Sequence, residues 1–318
     1  MRLILLSVSI LIFQFTIAQN TIEFDASDSP RIFGPGIVSD GFSNRDMAIS
    51  PDGNDLYYSL QWSYGIYSVI LHSKKINGEW TKPETAPFSG RFNDLEPAFS
   101  PDGDKLFFTS NRPINGSDSL KDYDIWFLQK KGNGWEGPYN LGTTINTDKD
   151  EFYPSLSKNG NLYFTRDNGD AKDDIFLSLF KNGKYELPQA LPDAVNSKGY
   201  DFNSFIDPDE NFIIFSSYKR ADDLGGGDLY FSLRKNGSWL PAVHFGKEIN
   251  SPALDYSPFI SADRRYFFFT SKRQLIKFPF QQSKTATEIR ELLSSYGNGN
   301  DDIYFMNFKE LEKLMKDK

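Results

Sequence analysis

The sequence predicts an all-β fold, a five-bladed β-propeller, and three observations carry that prediction. A tight turn recurs five times, as Ser50-Pro51-Asp52-Gly53, Ser100-Pro101-Asp102-Gly103, Ser157-Lys158-Asn159-Gly160, Asp207-Pro208-Asp209-Glu210 and Ser261-Ala262-Asp263-Arg264, at steps of 50, 57, 50 and 54 residues. A repeat at near-fixed spacing marks an array of one supersecondary unit. Each turn restarts as an aromatic strand such as Leu106-Phe107-Phe108 or Tyr266-Phe267-Phe268-Phe269. Composition agrees: 29 Phe and 16 Tyr against four Met suit half-buried pleated surfaces better than packed helices.

Residues 1–18 begin with Met1-Arg2, continue through an apolar stretch to Phe15 and end Thr16-Ile17-Ala18. That pattern predicts a cleaved secretory signal, a single propeller domain over 19–318 and a secreted or periplasmic location. The stretch is shorter than the roughly 20 apolar residues that span a bilayer, and no second one follows, so no transmembrane segment is expected after cleavage.

Within each unit a first strand begins at an acid: Asp46, Glu96, Glu151, Asp201 and Asp255. The Asp-Gly and Asn-Gly turns then predict two-residue hairpins, with a different turn where Glu210 and Arg264 replace glycine. The second strand is continuously apolar, as expected of a strand covered on both faces. The third starts from Asp124, Asp174, Asp228 and Asp302 in four units, and from Gly65-Ile66-Tyr67 in the first. Asn77-Gly78, Asn133-Gly134, Asn182-Gly183 and Asn236-Gly237 signal a second hairpin. Pro83, Pro138, Pro188 and Pro241 put the fourth strand on the outer rim, since proline lacks the N–H of a central strand. Four antiparallel strands, inner to outer, make a blade.

The fifth unit lacks a fourth strand, and the segment from Pro30 to Ile37 is expected to supply it. Closure of this kind removes exposed edges. A sixth blade is left open by the weakly patterned residues 20–45. An insertion at about 274–300 contains a predicted helix with Thr285 and Glu288 at capping-box spacing, and could act as a lid or plug the channel. Phe308, Leu311, Leu314 and Met315 predict a short C-terminal helix.

The repeat from Asp94 to Leu141, with Ser100-Pro101-Asp102-Gly103, Thr109-Ser110-Asn111-Arg112 and Asp124-Ile125-Trp126, resembles the WD40-like PD40 repeats of TolB-type bacterial propellers, as does Gly226-Gly227-Asp228-Leu229-Tyr230 in a later unit. The resemblance runs from about Asp46 to Phe305. It implies an exported, non-enzymatic binding or scaffold module of the cell envelope, with no particular ligand. The first unit departs from the pattern by lacking the arginine after its second strand, and the fifth by its insertion.

With no cysteine, disulfides and thiolate metal sites are excluded. A net charge of −8 without basic runs argues against nucleic acid. The two histidines, His72 and His244, are too few for a multi-histidine metal site, and no nucleophile elbow, HExxH or P-loop occurs. Gly225-Gly226-Gly227 reads as a flexible turn. No cofactor is implied, although Asp222, Asp223 and Asp228, or Asp301 and Asp302, could hold calcium.

Strand direction puts the acids Asp46, Glu96, Glu151, Asp201 and Asp255 on the channel-mouth face with Arg112, Arg166, Arg220 and Arg273. The expected structural role is pairing between neighbouring blades. The expected partner is a protein or a glycan, bound on this face by those arginines and by Arg45, Trp62, Tyr153, Asn203 and Tyr256, several of which escape the repeat. The alternative is a carbohydrate-active enzyme using Asp46, Glu96 and Glu151, given two carboxyls about 5–9.5 Å apart.

Overall fold

Each apolar second strand pairs on both sides, which makes it the centre of a small antiparallel sheet. In the computed structural model, which describes residues 22–114, 119–168 and 172–316, five such sheets form the blades of a propeller. The secretory signal expected at residues 1–18 lies outside the described residues. Inner to outer, blade I is Ser43–Ile49, Asp55–Trp62, Tyr67–Ile76 and Glu84–Thr85. Blade II is Asp94–Phe99, Lys105–Ser110, Asp124–Lys131 and Gly134–Asn140. Blade III is Glu151–Leu156, Leu162–Asp167, Asp173–Ser178 and Gln189–Ala190. Blade IV is Tyr200–Ile206, Phe212–Tyr218, Asp228–Lys235 and Val243–His244.

Blade V takes Asp255–Ile260, Tyr266–Ser271 and Asp302–Asn307 from the end of the chain and its outer strand, Arg31–Ile32, from the beginning. Arg31 sits opposite Phe305 and Ile32 opposite Tyr304, so the expected ring closure is present. The segment that follows imitates the connectors between other blades. Asn146, Asn196 and Asn250 each accept a hydrogen bond from the backbone N–H of the preceding third strand, at Ile125, Ile175 and Leu229. Ser39 does the same for Ile303, at 3.1 Å.

Five buried apolar clusters lie one at each seam between blades. The closing seam is built like the rest: Phe33, fully buried, meets Phe268 and Phe305 edge-on with centroids 5.2 and 5.1 Å apart. The C-terminal helix Phe308–Lys316 buries Phe308, Leu311 and Met315 on the seam between blades IV and V.

The turns differ in detail from expectation. Between first and second strands the loop spans five residues, and only its fourth carries positive φ: Gly53, Gly103, Gly160, Glu210 and Arg264 all lie between 55° and 80°. In all five the N–H of that residue donates to the carbonyl three residues back, so Glu210 and Arg264 adopt the same turn as the glycines. Two-residue hairpins with positive φ at both positions occur instead at Asn77-Gly78, Asn182-Gly183 and Asn236-Gly237. After each of these, Pro83, Pro188 or Pro241 breaks the pairing before the short outer strand resumes. Pro138 sits at a register shift within the continuous strand Gly134–Asn140. The triple glycine is tightly packed: a Cβ on Gly225 would lie 1.9 Å from the Pro252 carbonyl oxygen.

Candidate functional site: the axial cluster and funnel

All five first strands carry a β-bulge at the same place, between the register pairs flanking Asp46, Glu96, Tyr153, Asn203 and Ser257. Each of these non-glycine residues has a left-handed backbone, with φ between 48° and 58°. Such a conformation costs about 1–2 kcal/mol and persists only where surroundings over-determine it. A bulge re-aims a side chain, and here the re-aimed side chains meet one another.

The set corrects the alignment of acids expected from sequence. Asp46 and Glu96 stand four residues before their turns, on the bulge, whereas Glu151, Asp201 and Asp255 stand six before theirs. The true equivalents of those three are Asn44 and Asp94, so the acids form two rings. The outer ring joins no neighbouring blades as ion pairs. Asp94 pairs with Arg112 at 2.6 Å, Asp201 with Arg220 at 2.7 Å, Asp255 with Arg273 at 2.7 Å and Glu151 with Arg166 at 3.9 Å, always within one blade. What crosses the seam is a second bond, from the Arg112, Arg220 and Arg273 guanidinium to the Phe88, Val195 and Ile249 carbonyls of the preceding connector. These arginines also lie over aromatic rings, as Arg166 does 4.3 Å above Phe176. Burial, partly offset by Thr147 and Arg166, pushes the Glu151 carboxyl up to about 7.

The inner set is connected across the axis. Arg45 reaches Asp46 at 2.6 Å and Glu96 of the next blade at 3.1 Å, and its guanidinium lies 4.9 Å from the Tyr256 ring centre. The Ser257 hydroxyl donates to Asp46 at 2.6 Å, the Asn203 amide to the Ser257 hydroxyl at 2.8 Å and the Tyr153 hydroxyl to the Pro258 carbonyl at 2.9 Å. Tyr256 donates to Asp301 at 2.7 Å. Glu96 also accepts from Thr109 at 3.1 Å and from the Tyr153 N–H at 2.7 Å. Burial together with the Asp46 charge pushes Glu96 up to about 7, against the pull of Arg45, and burial likewise raises Asp46. Bulge N–H groups are held from the neighbouring second strand: Ser59 accepts from Glu96, Thr165 from Asn203 and Thr270 from Asp46.

The structure thus brings together Arg45, Asp46, Glu96, Tyr153, Asn203 and Tyr256, and leaves Glu151, Arg112, Arg166, Arg220 and Arg273 in the separate ring. Trp62 is 64% exposed at the tip of blade I and belongs to neither. Sequence reading missed Ser257, Ser59, Thr109, Thr165 and Thr270. The available signal was the recurrence of a hydroxyl eight or nine residues after the start of each turn, at Ser59, Thr109, Thr165 and Thr270.

Below this cluster the axis opens on the hairpin-turn side, opposite the face where the ligand was expected. A funnel of about 190 Å³ is lined by all five first strands, including Ile49, Phe99, Leu156, Phe205 and Ile260, with Glu96 and Tyr153 at its floor and Lys158, Asp209 and Arg264 among the residues at its turn end. No residue of the insertion lines it. The helix Ala286–Leu293 has the expected capping box but buries none of its residues, and the insertion is tied instead to Gly41 through Asn298 and Asn300.

Carboxylates at the axis are poorly placed for acid-base work. Asp46 and Glu96 side chains are 0% and 3% exposed, and each oxygen of Glu96 already faces a donor. Among the described residues no three His, Cys, Asp or Glu side chains cluster to hold a metal. Asp222 and Asp223 both accept from the Tyr230 hydroxyl.

The fold is similar to that of a protein from Agrobacterium tumefaciens assigned to TolB, at 15% identity and a TM-score of 0.50 over 84% of this chain and 90% of that one. TolB from Acinetobacter baumannii matches at 15% identity and 0.45, over 83% of this chain and 54% of that one. A thermostable family-43 glycoside hydrolase matches at 11% identity and 0.48, over 83% and 89%. No protein-family model and no curated protein sequence matches the chain. No described helix is long and apolar enough to cross a membrane.

Proposed function

We propose that this chain is an exported, non-enzymatic binding module of the bacterial envelope, whose partner is a protein that inserts an apolar segment into the axial funnel. One observation carries the reading. The carboxylates that converge on the axis are sealed by Arg45 and by hydrogen bonds, while the opening that remains beside them is walled by apolar side chains and prolines. Its volume suits one or two side chains, not a folded domain, and its proline-rich wall offers few backbone donors to a sugar. The resemblance to TolB-type repeats supports the binding role and the location.

Twelve-residue peptides selected from a random library should bind the purified protein, and Ala98→Trp, which adds bulk inside the funnel, should weaken them about tenfold or more. Turnover of any polysaccharide that Glu96→Gln or Glu151→Gln abolishes would establish the hydrolase alternative instead.

A further inference from the structure

A second cavity, of about 560 Å³, lies off the axis in the cleft between blades I and II. Its size falls within the roughly 300–1,000 Å³ of small-molecule sites. We propose that this cleft binds a neutral saccharide, with the sugar ring against its aromatic wall and the hydroxyls in reach of its carboxylates and lysines.

Blade I breaks the repeat here. Across the second and third strands, Tyr57 faces His72, where the other blades pair Phe107 with Phe127, Tyr163 with Leu177, Ile214 with Phe231 and Phe268 with Phe305. His72 lies flat on Tyr57, with centroids 4.2 Å apart at 11°, and its Nε2 is 2.8 Å from Asp55 Oδ1. Blades II to V all fill the equivalent position of His72 with a plain apolar side chain, so joining blades does not require this polar pair. The side chains of His72 and Asp55 remain 22% and 28% exposed, and both line the cleft.

The opposite wall is Trp135, half-buried, with Phe99 6.1 Å away between centroids. Lys74 and Lys130 line the cleft with Asp52 and Asp102, which the adjoining turns hold by hydrogen bonds from Ser50 and Ser100. These turn bonds keep both carboxyls below the usual carboxylate range. The wall is therefore flat and apolar, while the polar residues mix donors and acceptors. A sugar presents this combination, since its ring C–H face packs on aromatic rings and each hydroxyl both donates and accepts. The carboxylates disfavour a polyanion and the lysines a polycation. The cleft shares only Pro51 and Phe99 with the axial funnel, and the proposal does not rest on the funnel reading.

The test is calorimetric titration of the purified protein with cellohexaose, maltohexaose and N-acetylchitohexaose. At least one should bind, Trp135→Ala should weaken it about tenfold, and Asp55→Asn and Lys130→Ala should each weaken it several-fold. Lys130 is exposed, so its variant folds and keeps the test decisive if Trp135→Ala does not. Leu187→Ala, on the surface of blade III, should leave sugar binding unchanged. Failure of all three sugars to bind, binding indifferent to Asp55→Asn and Lys130→Ala, or a cleft that takes peptides but no sugar would each overturn the proposal.

Discussion

Replacing Arg45 with methionine keeps most of the side chain's stem and removes the one cation that two buried acids share. Its guanidinium lies 2.6 Å from Asp46 and 3.1 Å from Glu96, and the three side chains are only 14%, 0% and 3% exposed. Stranding a buried charge by removing its partner typically costs about 3–5 kcal/mol. The loss should depend on pH in a definite direction. Glu96 is raised from an ordinary 4.5 to about 7, so between those values the folded protein binds more protons than the unfolded chain. Stability from this group is full below the unfolded value and falls as pH climbs through the folded one. Without Arg45 both carboxyls move higher still, which deepens the loss at pH 8. At pH 5 the folded protein can protonate them instead, and the deficit should shrink to about 1–2 kcal/mol. Urea unfolding followed by tryptophan fluorescence at both pH values measures this. A loss under about 1 kcal/mol at pH 8, or an equal loss at both, would refute the view that Arg45 neutralises the axial acids.

Two other substitutions test how the ring is held. Phe33→Ala empties a buried aromatic site at the closing seam and should cost about 3–5 kcal/mol in the same unfolding assay, whereas the exposed Leu187→Ala should change stability by less than about 0.5 kcal/mol. Asn196→Ala removes the acceptor for the Ile175 N–H at 2.9 Å and the donor to its carbonyl at 3.0 Å. That change should cost about 2–3 kcal/mol and speed hydrogen exchange at Ile175 more than at Leu229, which Asn250 serves in the next blade.

Much of the architecture was legible because it depends on local chemistry that repeats. Turn residues at near-constant spacing gave the blades, aromatic runs gave the covered second strands, and the missing outer strand of blade V pointed to Ile32. Register within the first strand was harder to read. Both acid rings fall near the start of that strand, two residues apart, and an acid at either position looks alike in sequence. A bulge breaks the period-2 alternation that would have told them apart. The ion pairs assigned across seams fell within blades because the arginine follows the second strand of its own sheet, directly beside the start of the first.

From the amino-acid order alone come the repeat, its five copies and the ends that must meet, since each follows from short-range preferences for turns and strands. Only the assembled ring decides which acids face the axis, that Arg45 closes them off, and that the open end lies on the turn side. Those outcomes depend on side chains from different blades arriving at one point, and no single stretch of sequence records that meeting.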